Sequence, residues 1–146
     1  MLANSMRGVA SVVGALMLAF VGVVGVEVIS SILHPFPPGI DPADFEACKE
    51  HVARYPTAVL LLCAMGWWLT IFVSCWMATR LGARRHPVHG IIVGVILLAL
   101  AVCNMAMLPY PGWFWINLLT FPACIAFGTW LGCSSDRQKQ HPAGSN

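Results

Sequence analysis

The sequence predicts an all-α fold, an integral membrane four-helix bundle, and three observations predict it. Hydrophobic residues make up 58% of the 146 and charged residues only 10%, against roughly a quarter charged in soluble domains. Four apolar windows, 8–33, 56–79, 88–108 and 113–131, each approach the roughly 20 residues that a helix needs to cross about 30 Å of hydrocarbon. Lys and Arg fall unevenly on the connections between these windows. A soluble chain of this length has too little interior to hide so much apolar surface. Strands are excluded because no window keeps a period of two, and an open sheet cannot leave its edges in lipid.

The first window follows Arg7 and continues unbroken to Glu27, longer than the roughly 7 to 15 apolar residues of a cleavable signal. It therefore reads as a retained span. Ser11, Ala15, Ala19, Gly22 and Gly25 recur at spacings of three and four. Such a stripe lets helix backbones approach in lipid, where no hydrophobic force drives them together. Span one is accordingly expected to be the central or contact helix.

After Leu33 comes HPFPPG, whose prolines cannot continue the helix. A stiff extended turn is expected, ending at Gly39. The next segment, 42–54, reads as a short interfacial helix between spans one and two. Asp41 is its expected N-cap, Pro42 its first helical residue, and acids precede the basic Lys49 and Arg54. Phe45, Cys48, Val52 and Tyr55 mark its apolar side, to lie against the membrane surface. Glu46, Glu50 and Arg54 read as a solvated face.

Span two carries Trp67 and Trp68 near its middle, where no headgroup can accept from an indole N–H. At least one is expected to face protein or a lined cavity. Spans three and four are joined by PYPG and must be antiparallel neighbours. Tyr110, Trp113 and Trp115 are expected in the outer aromatic belt, with Trp76 and Trp130 at the inner boundary. Pro122 falls inside span four and should bend it. The chain then reads as a single four-span domain, 1–135, followed by a flexible polar tail, 136–146.

Arg7, Arg80, Arg84, Arg85, Arg137 and Lys139 flank one side, against Lys49 and Arg54 on the other. This bias places both termini in the cytoplasm of a multi-pass cell membrane protein, the inner membrane if bacterial. The cluster Arg80, Arg84 and Arg85 suits anionic lipid headgroups, and no nucleic-acid role is indicated. The six cysteines form no CxxC and read as small apolar packing groups; only Cys48 falls on the outer side, where it is free or pairs between subunits.

Polar residues collect in the outer half of the spans. Glu27 is the only charged side chain between Arg7 and Asp41, six residues before Leu33, or about 9 Å along the axis. Ser31 and His34 continue its face toward the proline turn. Asn104 and Asn117 enter at similar depth from spans three and four, with Ser30, Thr120, Trp67 and Trp68 as possible supporting members. A carboxyl group there must be protonated, paired or hydrated. Four spans with an acid in the first is a feature that resembles small drug exporters, and the likeness ends with that feature.

Three readings follow. In the first, Glu27 and the asparagines form a hydrogen-bonded network that holds the bundle of a structural or accessory subunit, with a second copy or another membrane protein as partner. In the second, Glu27 serves a proton-coupled transporter or ligand-binding protein. The third, a metal- or lipid-dependent enzyme, lacks an HExxH or a second close histidine, although His51 with Asp41 and Asp44 is near enough in sequence to close over the site. No cofactor and no catalytic motif are indicated.

Overall fold

The computed structural model describes residues 2–41 and 43–134, and the expectations for Pro42, Arg137, Lys139 and the tail fall outside them. Five α-helices form among the described residues: α1 (Leu2–Leu33), α2 (Phe45–Ala53), α3 (Thr57–Leu81), α4 (Val88–Met107) and α5 (Asn117–Ser134). Helix α1, α3, α4, and α5 together with the 3-10 turn Gly112–Ile116 before it, are long and apolar enough to cross a membrane. The fourth expected span thus begins as a 3-10 turn. Helix α5 runs on through Pro122.

The long helices alternate in direction. Arg7 Nε donates to the Leu81 carbonyl at 3.1 Å, joining the start of α1 to the end of α3. At the opposite end His51 Nε2 lies 3.0 Å from the His34 carbonyl, joining the close of α1 to α2. Arg7, Arg80, Arg84 and Arg85 therefore lie at one end of the bundle and α2 at the other.

The central helix is α3, not α1. It packs against α1, α4 and α5 and buries Leu60, Ala64, Trp67, Ile71, Cys75 and Ala78. Helix α1 has an expected small-residue face, and Ser11, Ala15 and Ala19 are buried on it. Gly22 meets Thr70 of α3, whereas Gly25 has open space around it. Much of the opposite face of α1 is exposed and apolar, including Val13, Met17, Phe20, Val24 and Val28. A single contact stripe fixes α1 at the side of the bundle, because a central helix needs small or complementary residues around its whole circumference.

Helix α3 has that second set of small residues. Ser74, Cys75, Ala78 and Thr79 are all buried, and Cys75 and Thr79 face Gly90 of α4 and Gly128 and Gly132 of α5. A Cβ on Gly128 would stand 2.5 Å from the Phe72 carbonyl oxygen, and one on Gly132 would stand 2.7 Å from Thr79 Cβ. Backbone approach this close needs hydrogen at both positions. Gly90-x-x-x-Gly94 and Gly128-x-x-x-Gly132 are the sequence signals for this crossing, and the span windows alone do not use them.

Candidate functional site: a lateral groove ending at Glu27

Helices α1 and α4 diverge over α3 and leave a groove of about 500 Å³. Its apolar walls include Leu16, Phe20 and Val23 of α1 and Ile96, Leu97 and Leu100 of α4, with Trp67 and Ile71 from α3. Glu27 and Asn104 also line it. Both lie toward the α2 end of their helices, and Thr70 of α3 is a further polar residue along a lining that is mostly apolar. The volume falls within the range of small-molecule sites, roughly 300 to 1,000 Å³.

Glu27 is exposed to this space, and among the described residues it has no ion pair. The two close ion pairs of α2, Lys49–Glu46 at 2.9 Å and Arg54–Glu50 at 3.6 Å, lie on its solvated face. Asn104 is held by Tyr110, whose hydroxyl donates to Asn104 Oδ1 at 3.0 Å. The same tyrosine stacks on Phe114 with ring centroids 4.5 Å apart. Tyr110 thus turns inward rather than joining an aromatic belt, because its hydroxyl finds an acceptor inside the bundle. Trp113 and Trp115 remain exposed.

The two tryptophans of α3 have different fates. Trp68 Nε1 donates to Asn117 Oδ1 at 2.8 Å. Asn117 Nδ2 in turn donates to the Phe114 carbonyl at 2.7 Å, and the Thr120 hydroxyl approaches Asn117 Oδ1 at 3.3 Å. Asn117 is fully enclosed in this α3–α5 seam. Trp67 instead lines the groove, is 8% exposed, and its buried Nε1 has no hydrogen-bond partner. A buried indole donor without an acceptor is costly and marks a place where an acceptor belongs.

The structure therefore divides the polar residues at the α2 end of the bundle. Glu27, Asn104 and Trp67 share the groove; Asn117, Thr120 and Trp68 form a separate seam. Residues 67 and 68 point about 100° apart on the helix, so neighbours in sequence serve different faces. Ser31 is exposed and bonds to its own Val28 carbonyl at 2.8 Å. Ser30, one position earlier, is the buried one and donates to the Glu27 carbonyl at 2.9 Å.

His34 leaves the Glu27 face at the helix end and belongs to the docking of α2. His51 of α2 stacks on Phe36 at 3.8 Å and on His34 at 4.7 Å, with Tyr55 edge-on at 5.2 Å. The N-cap of α2 is Asp44, which accepts from the Glu46 amide at 3.0 Å. Asp41 instead caps the preceding turn, accepting from Ala43. The inward side of α2 is His51 and Val52, both buried, while Phe45 is exposed beneath the Lys49 ammonium at 4.5 Å. The aromatic packing around His51 rotates the helix away from the Phe45 face. Among the described residues no three His, Cys, Asp or Glu side chains gather as a metal site.

Burial holds the His51 imidazole below the usual histidine range, with the His34 carbonyl opposing this and His34 and Arg54 adding to it. The unfolded imidazole titrates near about 6.5, so below that pH the unfolded state binds more protons than the docked one. Docking of α2 is therefore strongest above about pH 6.5 and weakens on acidification through the depressed native value. Hydrogen exchange in 45–53, corrected for intrinsic rates, should accelerate between about pH 7.5 and pH 5. His51→Phe should remove that dependence, and protection in the wild type that does not change with pH would contradict it.

No protein-family model matches the chain, and no curated protein or solved structure is significantly similar to it. The class defined by fold and geometry is a small all-α protein with four apolar helices consistent with a membrane bundle, internally hydrogen-bonded through buried Asn and Trp side chains.

Proposed function

We propose that this is a four-span membrane protein, a single domain with both termini cytoplasmic, that binds an amphiphilic molecule in the lateral groove between α1 and α4. The observation that carries the reading is Glu27. Its carboxyl lines an apolar groove of about 500 Å³ without an ion pair among the described residues. A group that held the bundle together would bond across helices, as Asn117 does with Trp68. Glue between helices is supplied by that seam and by the glycine crossings, so Glu27 is free to serve something that enters.

Orientation follows from charge. Arg7, Arg80, Arg84 and Arg85 share the end opposite α2, and an excess of Lys and Arg marks the cytoplasmic side. Arg80 lies over the Trp76 ring at 5.6 Å, a pairing suited to the headgroup level, where the arginines would meet anionic lipid. The groove then opens toward the outer leaflet, with α2 above its polar end.

Lipid extraction from the purified full chain tests the binding reading. Wild type should retain an amphiphile in about stoichiometric amount through detergent exchange, whereas Ala101→Phe, which adds a ring to an α4 residue of the groove lining, should lose most of it. Equal retention by both proteins would exclude the groove as the site.

A further inference from the structure

The groove has an uneven supply of polar groups, and the imbalance selects a ligand class. Glu27 provides the acceptor oxygens. Trp67 contributes ring surface to the wall, while its Nε1 is buried away from the groove. Asn104 engages its carbonyl with Tyr110, which leaves its amide N–H groups for another acceptor. The helical distance from Glu27 back to Leu16, the apolar end of the same wall, is about 16 Å. That is about half of the 30 Å hydrocarbon core, the depth of one leaflet.

We propose that the groove takes a single-chain amphiphile with an amine head, its ammonium against Glu27 and its alkyl chain running toward Leu16. This inference rests on the amphiphile-binding reading and adds the chemistry of the head. Charge complementarity carries it. A carboxyl in hydrocarbon is protonated, hydrated or paired, and no described cation pairs with Glu27; an ammonium head is the ligand chemistry that supplies the pairing. Phosphate-bearing heads are disfavoured, since their anion would meet Glu27 with no cation in the groove to separate them. The Asn104 amide suits a hydroxyl or carbonyl oxygen beside the amine. The length of one leaflet and the walls of Phe20, Leu97 and Leu100 fit one chain.

Binding of three probes to the full chain in non-ionic detergent, read by native mass spectrometry, tests this. Dodecylamine should bind about tenfold or more tightly than dodecanol, and dodecyl phosphate least of all. Glu27→Gln should lower the amine affinity by about tenfold and erase its preference over the alcohol, while Glu27→Asp keeps the preference. If dodecylamine and dodecanol bind alike in wild type and Ala101→Phe loses both, the amine class is wrong and the groove reading stands. If none of the three binds, or Ala101→Phe retains them all, the groove reading fails with it. Preferred binding of dodecyl phosphate would overturn the assignment directly. The comparison of probes in wild type decides the question even where Glu27→Gln does not fold.

Discussion

Gly90→Ala should destabilise the bundle by about 1–3 kcal/mol, although the change adds one methyl group to a helix that would otherwise gain from alanine. The new Cβ would overlap the Thr79 hydroxyl and stand 2.7 Å from Thr129 Oγ1 and 2.8 Å from the Cys75 carbonyl oxygen. Hydroxyls can rotate, but Thr79 already donates to that same carbonyl at 2.9 Å, and a backbone carbonyl inside α3 cannot turn away. Gly128→Ala should cost a comparable amount, since its Cβ would lie 2.5 Å from the Phe72 carbonyl oxygen. Gly25→Ala is the matched control. Nothing lies within 4 Å of its Cβ position, so helix propensity alone applies and stability should rise by up to about 1 kcal/mol. Reversible unfolding in detergent micelles measures all three, and a destabilised Gly25 variant beside an unaffected Gly90 variant would remove α4 and α5 from the tight crossing.

Asn117→Leu should cost about 2 kcal/mol, more than a typical interhelical hydrogen bond in a membrane bundle. The reason is the Trp68 N–H, which the change leaves buried without its acceptor; the Phe114 carbonyl loses the side-chain amide but still accepts from the backbone N–H of residue 117. Trp68→Phe alone should cost about 1 kcal/mol. Once Trp68 is phenylalanine, the orphaned N–H is gone, so the double variant should be more stable than the sum of the single changes by about 1 kcal/mol. Strict additivity would mean that the 2.8 Å contact contributes nothing to stability. Neither variant should alter amphiphile retention, because Asn117 and Trp68 lie in a different seam from Glu27. Loss of the ligand in Asn117→Leu with an intact bundle would argue that the two polar sites act together.

The depth of the polar residues was legible from counting, and their grouping was not. Glu27 lies six residues before the end of α1 and Asn104 three before the end of α4, while Asn117 opens α5 five residues after the 3-10 turn begins at Gly112; all three fall near the α2 end, which follows from a fixed rise per residue. Which way each one points depends on how the helices are rotated, and that rotation is set by contacts far from the polar residues. Gly90, Gly128 and Gly132 draw α4 and α5 onto one side of α3 and aim Asn117 into the seam with Trp68. Ser11, Ala15 and Ala19 hold α1 against another side of α3, and the divergence of α1 from α4 leaves the groove. The exchange of Ser31 for Ser30 on the buried side has the same origin, since one residue is a turn of about 100°.

By itself the sequence determined the class of fold, because 58% hydrophobic residues in four long windows leave helices with satisfied backbones as the arrangement that suits a bilayer. It also determined that the half of the spans nearer the segment between the first two would carry the polar side chains and that HPFPPG would break the first helix. Only the tertiary structure decided that α3 is the centre, that Asn104 shares a groove with Glu27 while Asn117 does not, and that Trp67 is left with an unpartnered donor. Composition and period fix what a helix is and how long it runs; which of its faces meets which neighbour is settled by close packing between helices, where a single hydrogen in place of a methyl decides how near two backbones can come.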